Sequence, residues 1–89
     1  PDDQITREQM ATILYRYAQM RNFNTGFHAD LSKYADNGSI SGYAREAMSW
    51  AVETGIISGM TSTTLNPAGT ATRAQVATIL MRFIRWYSL

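Results

Sequence analysis

Arg7 and Arg73 are the residues whose type and setting point most directly to chemistry. Each stands directly behind a threonine and two places before a glutamine, in Thr6-Arg7-Glu8-Gln9 and Thr72-Arg73-Ala74-Gln75. A threonine followed three residues later by a glutamine is a capping box, so both arginines fall in the first turn of a helix. A cation there meets the positive end of the helix dipole, which costs about 0.3 to 1 kcal/mol at an exposed site. The alternatives are a solvated arginine or one paired with a loop carboxylate, and a functional anion contact, which the planar fork of a guanidinium suits; recurrence in both copies favours the function. The chemistry expected of this pair is therefore anion contact.

Little else in the chain has the makings of a reaction centre. The seven carboxylates, Asp2, Asp3, Glu8, Asp30, Asp36, Glu46 and Glu53, include no pair set in an apolar stripe where a raised pKa would make a general acid. No serine sits in a nucleophile-elbow context. The chain has no cysteine and a single histidine, His28, so disulfides, thiolate metal sites and cysteine nucleophiles are excluded and His28 reads as a loop residue. Asp36-Asn37-Gly38 begins like a calcium loop but lacks its later oxygen ligands and closing glutamate, and an Asx turn accounts for it. The expectation is a binding module with no enzymatic activity, no metal and no cofactor. A net charge of +1 offers no basic stripe for nucleic acid. No apolar run approaches a membrane span and no signal peptide is read in these residues; the chain lacks an initiator Met and begins inside a repeat, so it is expected to be a fragment of a longer protein whose targeting signals lie elsewhere.

The elements that position the arginines form an internal repeat. Residues 5–17 and 71–83 are identical at eight of thirteen positions, at an offset of 66. Pro1 and Pro67 stand four residues ahead of the two copies, so the turn into the helix repeats as well. Met10, Ile13, Leu14 and Tyr17 in one copy, and Val76, Ile79, Leu80 and Phe83 in the other, follow the i, i+3, i+4, i+7 spacing of an amphipathic helix, and each set is read as its core face. Ile5 with Met10 and Ala71 with Val76 occupy hydrophobic-staple positions.

Between the copies, the first helix is expected to run from Arg7 to about Arg21, where Asn22, Asn24, Thr25 and Gly26 break it. Residues 23–42 read as an ordered, irregular stretch pinned by Phe23, Phe27, Leu31 and Tyr34, with one helical turn near Asp30. Ser41 is the expected N-cap of a second helix from Gly42 to Thr54, rich in small residues. Gly55 suits a left-handed helix end with Ile56 folding back. Residues 60–65 read as a short extended piece, and Asn66-Pro67-Ala68-Gly69 as the turn into a third helix, Arg73 to about Tyr87. Arg82, Arg85, Trp86 and Tyr87 read as residues that cap the last carbonyls and cover the edge of the core. The fold class is all-α, a small helical bundle with long ordered loops.

Tyr34-Ala35-Asp36, Tyr43-Ala44, Gly55-Ile56-Ile57-Ser58-Gly59, Leu65-Asn66-Pro67 and Thr72-Arg73-Ala74-Gln75 occur in an order and spacing that resemble the S-layer homology family of bacterial surface proteins. The family's corresponding motifs are Phe-x-Asp, Trp-Ala, Gly-Ile-x-x-Gly, Phe-x-Pro and Ile-Thr-Arg-Ala-Glu. The resemblance covers a complete helix-loop-helix module and the closing half of a preceding one, which divides the chain into residues 1–22 and 23–89. It implies a secreted fragment of a longer protein, held at the cell wall by non-covalent binding of secondary cell-wall polysaccharide, often pyruvylated, in grooves between modules. Arg7 and Arg73 would contact the anionic sugar, Asp36 and Tyr43 would line the groove, and Gly59 would let backbone approach the ligand. Neighbouring modules would be partners, since such modules usually assemble in threes. Gln9 and Gln75 depart from the family's glutamate, and Tyr43 from its tryptophan. A module and a half would leave apolar helix faces exposed or paired between chains as a homo-oligomer. The competing reading is a helical protein-interaction or oligomerisation domain that binds no glycan.

Overall fold

A computed structural model describes residues 4–89; Pro1 and its predicted turn, with Asp2 and Asp3, lie outside the described residues. Three α-helices carry the fold, α1 (Arg7–Met20), α2 (Arg45–Thr54) and α3 (Arg73–Trp86). Both capping boxes form, with Gln9 N–H donating to Thr6 Oγ1 at 3.2 Å and Gln75 N–H to Thr72 Oγ1 at 3.1 Å. Each glutamine side chain accepts in return from its threonine N–H at 2.9 Å. The amide thus does the geometric work of the family's glutamate without its charge.

Gly55 ends α2 at φ 78°, the left-handed conformation that glycine adopts without a Cβ penalty. Behind it Ile57 N–H donates to Ala51 O at 3.1 Å, and Ile56 and Ile57 are buried. Residues 23–44 hold no α-helix, only single 3-10 turns at Leu31–Lys33, Asn37–Ser39 and Gly42–Ala44. Ser49 Oγ donates to Ala29 O at 2.7 Å and so ties this stretch to α2, while Leu31 and Tyr34 join the core.

Trp50 is fully buried and unites the helices: its ring lies 5.3 Å from Tyr15 of α1 and 6.2 Å from Phe83 of α3, and its Nε1–H donates to Tyr87 Oη at 3.0 Å. Tyr87 also stacks on Phe23 at 4.8 Å and donates to Asn24 O at 2.8 Å, closing the edge of the core as expected of it. The small residues Ala47 and Ala51 of α2 and Ala11 and Ala18 of α1 are buried, which permits the close approach of the two helices.

Three local expectations are corrected. Ser41 does not cap α2, which begins at Arg45 behind a 3-10 turn; its N–H and Oγ donate instead to the buried Glu8 carboxylate at 2.9 and 2.6 Å. Residues 60–65 form no extended strand. They make a bend held by Thr61 Oγ1, which accepts from Thr64 N–H at 3.1 Å, and by Met60 N–H donating to Thr64 O at 2.8 Å. The helical stripes are also not single core faces: Ile13 is 55% exposed and Leu80 39% exposed, whereas their repeat partners Ile79 and Leu14 are buried.

Candidate binding groove

Arg7 is 5% exposed although it is charged and sits in a first helical turn. Its Nε–H donates to Leu65 O at 3.0 Å and an Nη2–H to Ser58 O at 2.7 Å. Two carbonyls fifty or more residues along the chain are thus the acceptors that outweigh the dipole, since hydrogen bonds from a charged donor contribute about 1.5 to 3 kcal/mol each. Burial lowers the Arg7 pKa from its ordinary value, and an arginine remains cationic under such a shift. The adjoining backbone joins the same place: Arg7 N–H donates to Gly69 O and Glu8 N–H to Pro67 O, both at 3.0 Å, and Ala71 N–H returns a bond to Ile5 O at 2.9 Å. The turn ahead of α3 thereby satisfies first-turn amides of α1 that a helix leaves without an internal partner.

A groove of about 300 Å³ runs beside this joint, between the turn at residues 57–60 and α3. Its lining includes Arg7, Ser58, Gly59, Gln75, Thr78 and Arg82, with Ile57, Met60 and Ile79 as apolar walls. It carries two guanidinium groups and no carboxylate. Two of the five N–H groups of the Arg7 guanidinium are engaged by carbonyls. The arrangement suits an anionic, partly apolar ligand: cations for its charge, hydroxyl and amide groups for its polar edge, and aliphatic surface for its carbon faces.

The five residues marked from the sequence do not converge. Arg7 and Gly59 share the groove, whereas Arg73 is exposed and lines a second depression with Ile5, Val76 and Leu80. Asp36 and Tyr43 line neither. The Asp36 carboxylate accepts from Leu65 N–H at 2.9 Å and Asn66 N–H at 2.7 Å, which clamps the chain ahead of the Pro67 turn. Tyr43 is 56% exposed on a single 3-10 turn. A Cβ on Gly59 would lie 2.5 Å from Thr61 O and 2.9 Å from Thr64 O, so the bend itself demands glycine there.

Arg82 is the groove residue that reading by element missed. It is exposed within α3, lines the groove, and has no hydrogen bond to the last carbonyls among the described residues. The signal that would have found it is the repeat, because Gln75, Thr78, Ile79 and Arg82 are all identical to their partners Gln9, Thr12, Ile13 and Arg16.

With this geometry in view, the S-layer homology domain profile matches residues 33–77. Exoglucanase XynX of Acetivibrio thermocellus is 36% identical over 80 residues, which cover 90% of this chain. The chain belongs to the S-layer homology domain family. Amylopullulanase of Thermoanaerobacterium thermosulfurigenes is 35% identical over 80 residues, again 90% of the chain. The matches span only 7% and 4% of the two enzymes. Among solved structures, the undecaheme cytochrome from the S-layer of Carboxydothermus ferrireducens superposes with a TM-score of 0.69 at 27% identity, covering 96% of this chain and 14% of the cytochrome. S-layer homology domains anchor proteins at the cell surface, typically on cell-wall polymers, and the present domain is such a surface-associated module. Among the described residues no helix is long and apolar enough to cross a membrane.

Proposed function

We propose that this S-layer homology module anchors its parent protein non-covalently to an acidic secondary cell-wall polysaccharide, and that the Arg7–Arg82 groove holds the charged sugar. The observation that carries this reading is the pairing of two cations with no carboxylate in a groove that also offers Ser58, Gln75 and Thr78. A pyruvyl ketal fits the chemistry, since its carboxylate would take charge-assisted hydrogen bonds from the arginines while its methyl and the sugar's carbon face lie on Ile57, Met60 or Ile79. Arg7 is held rigid by its two carbonyls, so little side-chain entropy is lost when a ligand meets it. Arg82 is exposed and supplies an adjustable second contact. Catalysis belongs in this reading to other parts of the parent protein, as the much longer enzymes among its relatives suggest.

The test is sedimentation of the chain with purified Gram-positive cell walls before and after the secondary polysaccharide is stripped. Binding is expected only to walls that retain the polysaccharide, and Arg82→Ala is expected to weaken it by about tenfold, the equivalent of one lost charge-assisted contact. Because Arg82 is exposed, the variant is expected to melt with the parent chain. Equal retention on stripped walls, or by the variant, overturns the reading.

A further inference from the structure

Gln9 and Gln75 make the same cap, yet only one of them faces the groove. In each, the side-chain oxygen accepts from a threonine N–H at 2.9 Å. A backbone N–H can be met only by the oxygen of a side-chain amide, so this bond fixes which way the amide turns and sends its NH2 group the other way. Gln9 is exposed and lies outside the groove, whereas Gln75 is half-buried on the groove wall with Arg7 and Arg82. The Gln75 Nε2 lies 4.0 Å from Sδ of Met60 on the facing turn, its one hydrogen-bond partner among the described residues. A thioether is a weak acceptor. The cap therefore holds in place a donor that is matched to much less than it can bind.

We propose that Gln75 is the charge-selecting residue of the groove: its NH2 group donates to the acidic substituent of the ligand, beside the arginines. The role rests on the polysaccharide reading of the groove and adds to it a third donor, one whose direction is set by the helix cap. A carboxylate has two oxygens and about four lone-pair sites, enough to accept from a guanidinium and an amide together. Met60 is 49% exposed and unbranched, so its thioether can swing away from Nε2 as a carboxylate oxygen takes its place.

What a glutamate would do at the same place shows why the amide matters. One carboxylate oxygen would make the cap, and the other would stand where Nε2 now is, an acceptor with negative charge in place of a donor. In a groove with two guanidinium groups, that charge would offset part of the cationic field and repel the carboxylate of a ligand. With glutamine both cations stay free of a carboxylate in the groove, and Ala74, the neighbouring lining residue, adds none. A purely capping role would make Gln9 and Gln75 equivalent, which supplies the control.

The test is calorimetric titration of the chain, of Gln75→Glu and of Gln9→Glu with a soluble fragment of pyruvylated wall polysaccharide at pH 7. Proton–nitrogen correlation NMR follows the parent chain through the same titration. Each substitution keeps an oxygen for the cap, so both variants are expected to melt with the parent. Gln75→Glu is expected to weaken binding at least about tenfold, the equivalent of one lost charge-assisted contact, and Gln9→Glu to leave it unchanged. The side-chain NH2 signal of Gln75, assigned by its loss in Gln75→Glu, is expected to move downfield with the fragment while that of Gln9 stays in place. Equal affinity of Gln75→Glu and parent overturns the role of Gln75 and leaves the polysaccharide reading standing. So does a stationary Gln75 signal while the backbone amides of residues 58–60 move, or an equal loss of affinity in the two variants. A parent chain that does not bind the acidic fragment overturns both.

Discussion

Asp36 shows how a residue that resembles a ligand in the sequence is used by the fold. Its carboxylate receives the N–H groups of Leu65 and Asn66, and these bonds, led by that from Leu65, hold its pKa below the ordinary aspartate value. The stabilisation of the 65–66 strand of loop is therefore fully present above about pH 4, the unfolded value, and is lost as pH falls through the lowered folded value. Asp36→Ala is expected to lower the urea midpoint at pH 7, and the gap between variant and parent should narrow markedly at pH 3. An unchanged gap would mean that the carboxylate charge contributes nothing to the clamp. The Asp36-Asn37-Gly38 motif announced a turn, and the chain does turn there. That the carboxylate would reach residues 29 and 30 positions away is a consequence of tertiary closure, which no local motif encodes.

At the scale of the helix, the N-terminus of α1 is the joint that locks the two repeats together. Arg7→Met would leave the Ser58 and Leu65 carbonyls without their donor while keeping much of the aliphatic volume. An unsatisfied buried polar group costs about 1 to 3 kcal/mol, so a loss of about 2 to 4 kcal/mol in urea unfolding is expected. The same change at Arg73 removes an exposed side chain and should fall within about 0.5 kcal/mol of the parent. Comparable losses at the two sites would contradict the distinction drawn between a seated and an open arginine. The sequence carried much of these helices: the capping boxes place both starts, Gly55 places the end of α2, and the repeat marks α1 and α3 as equivalents. It did not show that Ile13 and Leu80 would stay exposed while Leu14 and Ile79 were buried. A helix with apolar residues on two flanks has one periodic pattern, and only its neighbours decide which flank each copy covers. For the same reason Arg7 and Arg73 looked alike, since the acceptors that separate them lie fifty or more residues away from Arg7.

At the scale of the molecule, α1 and α3 cover the stretch between them with opposite apolar flanks of the same repeat. The joint that seats α1 also brings Arg7 beside the Gly59 bend, and α3 brings Gln75, Thr78 and Arg82 to the opposite wall. The groove is thus a product of assembly, because neither repeat copy alone holds both arginines in it. The groove was only half legible in advance: Arg7 and Gly59 belong to it, while Arg82 was assigned to the helix end for want of any local sign of what it faces. The most direct test of this account is calorimetric titration of the chain with a soluble fragment of pyruvylated wall polysaccharide, and with the same fragment after mild acid removal of the ketal. The account predicts binding of the acidic fragment that weakens as salt screens the exposed Arg82, and that is lost with the ketal or with Arg82→Ala. Equal heats from the acidic and the neutral fragments, unaffected by Arg82→Ala, would contradict it.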